Sequence, residues 1–198
     1  MNSAHAKSLY EDSLIFSNIQ KYIVLTCEEK EFLKSVLYEI EVPPKHMLLR
    51  QGQICRQLYF VSEGSIRAYN LDTDGKESTI MFGIEDWWIT DMYAFTQQKS
   101  ALLSLETLED TRVVVLEFEV FDKALKHIPK LERFFRILFQ NAYVREQLRA
   151  LDSISLTTEE RYRKFLDKYP QIVEKVTQKQ IASYLGVTPE FLSSVKKK

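Results

Sequence analysis

Two kinds of hydrophobic spacing divide this chain. Apolar residues recur at helical spacing in residues 14–22 and 26–38, and Thr26 can cap the second of these helices. After Pro43 and Pro44 the pattern changes to short apolar runs between turn residues, and helical spacing returns after Phe121. The pattern therefore predicts an α+β protein in which two helices precede a β-domain and further helices follow it.

The middle of the chain predicts a closed or sandwiched β-domain. Glycine and aspartate turns separate six short apolar runs, at residues 46–50, 58–61, 65–71, 78–82, 101–107 and 111–117. With further short segments counted, about eight strands at spacings of 8 to 12 residues indicate a jelly roll or a small β-barrel.

A long helix is predicted at residues 129–151, because no glycine or proline interrupts the stretch after Pro129. At 1.5 Å per residue it would reach roughly 35 Å, which is longer than so small a barrel can cover. An identical helix in a parallel pair is the expected partner, with Leu138 and Leu148 in the interface; packing within its own chain is the alternative. Residues 153–155 are interpreted as a hinge, followed by a helix capped at Thr157.

The last part of the chain predicts a helix-turn-helix. Thr177 caps a first helix that Gly186 ends, and Thr188 and Pro189 start a second helix at once. The inward sides are assigned to Ile181, Ala182 and Leu185 in the first helix and to Phe191, Leu192 and Val195 in the second.

An ordinary pair of antiparallel helices would show the same turn, but the second helix also has a short, polar outward side. Small side chains let the backbone approach phosphates and base edges, so this helix is interpreted as one that reads the DNA major groove. The predicted DNA contacts are Gln178, Thr188, Pro189, Glu190, Ser193, Ser194 and Lys197.

Charge is distributed unevenly along the chain. From residue 153 to the end there are nine Lys and Arg against five Asp and Glu, a net charge of +4, whereas residues 1–152 carry −5. The basic excess therefore lies with the predicted helix-turn-helix, although the whole chain has a net charge of only −1.

Other features argue against several classes of protein. Only Cys27 and Cys55 occur, without a Cys-x-x-Cys pair, and no stretch has the 18 or so apolar residues of a membrane helix, so we expect a cytoplasmic protein. His5, His46 and His127 are scattered, which argues against a metal-dependent enzyme, and the sequence has no phosphate-binding loop and no nucleophile elbow. Catalysis and metal binding are therefore not expected.

The order of these elements resembles the Crp/Fnr family of bacterial transcription regulators. The similarity rests on Leu58-Tyr-Phe-Val-Ser-Glu-Gly-Ser-Ile, like the family's hairpin, and on Gln180-Ile-Ala-Ser-Tyr-Leu-Gly-Val-Thr-Pro-Glu, like its helix-turn-helix. The resemblance implies a homodimer that binds a palindromic operator in double-stranded DNA, contact with RNA polymerase, and an effector in the jelly roll.

Two departures from the family change what is expected. Where relatives that bind cyclic nucleotides carry Gly-Glu and Arg-Ser or Arg-Thr pairs, this chain has Thr90, Asp91, Lys99 and Ser100, and lysine cannot make the bidentate bond of arginine to phosphate. These four residues are the candidate effector site, and a cyclic nucleotide is not the expected ligand. Many relatives also have arginine where Ser194 stands.

The sequence thus predicts an effector domain at residues 1–128, a dimerisation helix at 129–152 and a DNA-binding domain at 153–198. The predicted function is DNA-binding transcription regulation. The alternative is a dimeric small-molecule sensor whose C-terminal hairpin contacts a protein; the effector and the operator stay open.

Overall fold

The computed structural model describes residues 13–196, with the side chain of the last of these left out. Helices α1 (Leu14–Gln20) and α2 (Cys27–Val36) come first. The predicted cap of α2 is confirmed, because the Thr26 hydroxyl accepts the Glu29 N–H at 3.2 Å and the Glu29 carboxylate accepts the Thr26 N–H at 2.7 Å.

The β-domain contains eight strands within the described residues, and the predicted jelly roll is confirmed. The strands are β1 (Tyr38–Val42), β2 (Met47–Leu49), β3 (Gln57–Glu63), β4 (Ser65–Leu71), β5 (Glu77–Ile84), β6 (Trp88–Ile89), β7 (Ser104–Thr107) and β8 (Thr111–Glu117). One sheet has the order β1-β8-β3-β6 and the other β2-β7-β4-β5, with antiparallel pairing throughout.

Strand β1 corrects the sequence prediction, which continued a helix to Tyr38. The helix ends at Val36, and Ile40 and Val42 pair with Val113 and Thr111 of β8. Because β8 lies inside its sheet, it needs a neighbour on both sides, and this pairing outweighs the helical spacing of the residues before it.

The main core fills the space between the two sheets and continues under the helices that follow them. Helix α3 (Met92–Gln97), which the sequence did not predict, lies between β6 and β7, and α4 (Phe118–His127) follows β8. The long helix α5 (Lys130–Ser155) buries Leu131, Phe134 and Phe135 against this core.

The long helix is confirmed, but the hinge at residues 153–155 is wrong. Helix α5 runs through Ser155, and the chain leaves helical geometry only at Leu156, before the cap at Thr157. The Ser153 and Ser155 hydroxyls donate to carbonyls of the preceding turn, which lets serine remain inside a helix.

Three helices complete the described chain: α6 (Thr158–Lys168), α7 (Gln178–Leu185) and α8 (Pro189–Lys196). They form a second apolar cluster that includes Phe82 and Ile84 from the outer face of β5. The C-terminal helices therefore pack directly against the jelly roll of the same chain.

Candidate functional site

The helix-turn-helix has the local geometry that the sequence predicts. Thr177 accepts the Gln180 N–H at 3.2 Å and caps α7. Gly186 takes a φ of 70° at the end of that helix, and the Thr188 hydroxyl accepts the Phe191 N–H at 3.2 Å to cap α8. Two helices are thereby joined by a turn of only three residues, which fixes their relative orientation.

Helix α8 is anchored through one side and open on the other. Leu192 is fully buried against α7, next to the equally buried Ala182, whereas Glu190, Phe191 and Ser194 are exposed. The prediction that Phe191 belongs to the buried side is wrong: its side chain is 52% exposed. At about 100° per residue Phe191 lies beside the exposed Ser194, whereas Leu192 joins Ala182 in the buried C-terminal cluster.

The polar side chains of this region differ in what they can still bind. Ser193 donates to the Gln178 side-chain oxygen at 3.0 Å, and Ser194 donates to the carbonyl oxygen of Phe191 at 2.7 Å. Within the described residues, the N–H groups of the Gln178 side-chain amide have no hydrogen-bond acceptor. Glu190 has no ion-pair partner among the described side chains. Lys197, also predicted to contact DNA, lies outside the described residues.

One serine joins the helix-turn-helix to the edge of the jelly roll. The Ser183 hydroxyl of α7 donates to the carbonyl oxygen of Glu77 at 2.8 Å and accepts the N–H of Thr79 at 2.8 Å. Strand β5 is the edge strand of its sheet, so Ser183 satisfies backbone groups that an edge leaves unpaired. Sequence reasoning missed this contact because the partners lie more than 100 residues apart.

Cations and aromatic rings surround the same junction. The Arg145 guanidinium of α5 lies 4.7 Å from the Trp87 ring centre, and the Lys168 ammonium lies 5.0 Å from that of Tyr169. Burial, together with Arg145 and Arg149, lowers the pKa of Lys168 to about 8, while burial raises that of Tyr169. These contacts hold α5, α6 and the β5–β6 turn together.

The structure places the four candidate effector residues in two different environments. Asp91 is 2% exposed, and its carboxylate accepts the N–H groups of Ala94, Leu102 and Leu103 at 2.7–3.0 Å. Thr90 is also buried, and its hydroxyl donates to the Gln57 carbonyl oxygen at 2.7 Å. Both residues therefore hold the chain together around α3.

Lys99 and Ser100 lie on the surface instead, after the end of α3. A cyclic nucleotide would need a free carboxylate for the ribose and a guanidinium for the phosphate, and this loop offers neither, because the Asp91 oxygens are already bonded. The residues at this loop do not fit a cyclic nucleotide.

Arg67 does not supply the missing guanidinium. It is 3% exposed on β4, and its two terminal nitrogens donate to Glu77 at 2.7 Å and to Glu106 at 2.8 Å. Both donors therefore serve structural ion pairs on the outer face of the second sheet, where the C-terminal helices pack.

Among residues 13–196, no three His, Cys, Asp or Glu side chains are grouped to hold a metal ion. No helix in that part of the chain is long and apolar enough to cross a membrane.

Comparison with known proteins agrees with this architecture. Residues 39–127 match the cyclic nucleotide-binding domain family. The Anaerobic regulatory protein of Bacillus subtilis is 27% identical over 95 residues, which is 48% of this chain and 40% of the relative, so the chain aligns with less than half the length of that relative.

Two solved structures share the fold over most of the chain. FixK2 from Bradyrhizobium japonicum has a TM-score of 0.71 at 19% identity, covering 82% of this chain and 83% of FixK2. A putative Crp/Fnr regulator from Eubacterium rectale has a TM-score of 0.71 at 17% identity, covering 87% and 82%. The domain match therefore covers residues 39–127, and the fold shared with these two structures extends over more than four fifths of the chain.

Proposed function

We propose that this protein is a DNA-binding transcription regulator that reads the major groove with helix α8. The observation that carries this proposal is the two-sided character of α8: Leu192 fixes one side to α7, and Glu190, Phe191 and Ser194 face outward. A short helix with an exposed N-terminal turn and a rigid partner is the arrangement with which helix-turn-helix proteins contact base edges.

The proposed DNA contacts fall into two groups. Glu190 and Ser194 are placed to meet base edges, and a glutamate oxygen can accept the N4–H of cytosine. Gln178, Thr188, Pro189, Ser193 and Lys197 are proposed to lie along the phosphates, where helix N-termini and amide donors bind. The Ser193 bond to Gln178 supports this assignment, because it orients the free amide donors of Gln178.

We further propose a homodimer through the second half of α5. Val144, Leu148, Leu151 and Ile154 are each at least half exposed there. Together with Ile137 and Asn141, the positions 137, 141, 144, 148 and 151 follow the four-three spacing of a coiled coil. Leu138, also predicted in the interface, is half-buried against the jelly-roll core of its own chain, so we propose Leu148 rather than Leu138 as a central interface residue.

The contacts of β5 support a regulatory role for the jelly roll. Ser183 binds the backbone of β5, and Phe82 of the same strand packs in the C-terminal apolar cluster. A ligand or partner that shifts β5 would therefore shift α7 and, through the three-residue turn, the reading helix. We propose that this effector is not a cyclic nucleotide and that the regulator contacts RNA polymerase.

Salt dependence of DNA binding tests the proposal. The full chain is titrated onto fluorescent genomic fragments between 50 and 200 mM salt. The logarithm of affinity should fall linearly with the logarithm of salt, by about 0.9 for each phosphate neutralised. Absence of DNA binding at 50 mM salt would contradict the proposal and favour the protein-contacting sensor.

A further inference from the structure

Phe191 is the large apolar side chain on the outward face of the proposed reading helix. Its ring is 52% exposed, and no ring contact in the described part of the chain involves it. An apolar ring left in water forgoes free energy that burial would provide. The buried C-terminal cluster includes Leu192 but not Phe191, so the packing of α8 does not explain an aromatic residue at this position.

The position of Phe191 is one that reaches base edges. It is the third residue of α8, within the first turn, and the N-terminal turn of a reading helix contacts the bases. On the helix surface it flanks Ser194 on the side opposite Glu190, so the three side chains form one outward row.

The chemistry of this row restricts what Phe191 can recognise. Glu190 offers only acceptors when ionised, and the Ser194 proton is already given to the Phe191 carbonyl oxygen at 2.7 Å. In the major groove the one apolar group that a base pair presents is the C5 methyl of thymine, and phenylalanine is among the side chains that contact it.

We infer that Phe191 is a specificity-determining residue that packs its ring against the thymine C5 methyl group in each half-site. This inference rests on the proposed DNA-binding function. It adds a requirement for thymine beside the base pair that Glu190 reads, and it predicts that methyl contact contributes to selectivity.

Replacement of thymine by deoxyuridine tests the inference, because it removes the methyl group and leaves every hydrogen-bonding group in place. On a duplex selected from a random library, each thymine is replaced singly and affinity is measured by fluorescence anisotropy. At one thymine per half-site the change should weaken binding about fourfold, the loss expected for one buried methyl group. Replacing both half-sites together should weaken it about 15-fold if the two losses add.

Two variants separate this inference from a general loss of binding. Phe191→Ala should bind the thymine and deoxyuridine duplexes equally, whereas Glu190→Ala should keep the fourfold ratio. Equal affinity of the unaltered protein for both duplexes at every thymine, or an unchanged ratio in Phe191→Ala, would overturn the inference alone. Failure to select any duplex would overturn the DNA-binding function together with it.

Discussion

The loop around α3 and the reading helix α8 both carry short polar side chains, yet they use them in opposite ways. Asp91 turns inward and accepts three backbone N–H groups, while Glu190 stays exposed with no described ion-pair partner. The difference follows from the backbone around each carboxylate. Buried N–H groups near Asp91 need an acceptor, whereas at the start of α8 the Thr188 hydroxyl already accepts the Phe191 N–H.

This comparison shows that a polar residue at a family's ligand position is not by itself a ligand site. Asp91 was among the residues that the sequence suggested for the effector site, but its carboxylate bonds the backbone of its own loop.

The largest expected effect is on Asp91. Asp91→Ala would leave three N–H groups without an acceptor in a buried place, so the free energy of unfolding should fall by about 3 kcal/mol or more. Urea denaturation measures this loss. Lys99→Ala and Ser100→Ala, both on exposed residues of the same loop, should change stability by no more than about 0.5 kcal/mol. A stable Asp91→Ala protein would show that this carboxylate serves something other than the fold.

Helix α5 contains both a leucine that serves the fold and a leucine that is left for a partner. Leu148→Glu should convert the proposed dimer to a monomer while leaving each chain folded, because Leu148 is exposed in the single chain. Leu138→Glu should instead destabilise the fold by several kcal/mol, since it places a charge against the jelly-roll core. Analytical ultracentrifugation and thermal unfolding measure the two effects. A dimer that persists in Leu148→Glu would refute the assigned interface.

The smallest effect is a pH dependence at the junction of α5, α6 and the β5–β6 turn. The pKa of Lys168 is lowered to about 8 by burial and by Arg145 and Arg149, whereas an unfolded lysine titrates near 10.4. Between these pH values the unfolded chain binds more protons at Lys168 than the folded chain does. Lys168 should therefore raise the free energy of unfolding as the pH rises above about 8.

Denaturation at pH 8 and pH 9.5 of the protein and of Lys168→Met isolates this contribution. Burial raises the pKa of the Cys55 thiol, so Cys55 should lower the free energy of unfolding as the pH rises through 9. Because both proteins contain Cys55, its effect cancels in the difference between them. If the free energy of unfolding depended on pH in the same way in both proteins, the lowered pKa of the half-buried Lys168 would be contradicted.

The sequence predicted the fold well where local signals and periodicity agree. The capping residues Thr26, Thr157 and Thr177 each have Glu or Gln three residues later, and all three caps formed. The turn at Gly186 was equally predictable from the sequence, because glycine adopts a positive φ easily.

Errors arose where distant contacts decide the outcome. Strand β1 depends on pairing with β8, and the role of Asp91 depends on the N–H groups of Leu102 and Leu103, which no local pattern reveals. Phe191 was misassigned because an eight-residue helix needs only one buried anchor, here Leu192. In a helical projection centred on Leu192, Phe191 lies about 100° away, at the edge of the buried side, where periodicity alone does not decide its exposure.

The most direct test of DNA reading by α8 is selection from a randomised duplex library with the full-length protein, with Glu190→Ala and with Glu174→Ala. Glu174 is an exposed residue between α6 and α7, so its replacement removes the same charge away from the reading helix. The unaltered protein and Glu174→Ala should select the same palindrome, with half-sites about one helical turn apart. Glu190→Ala should lose preference at one or two base pairs per half-site, at a cost of about 1 to 3 kcal/mol on the original sequence. Recovery of no palindrome, or of an unchanged one by Glu190→Ala, would contradict this account of the reading helix.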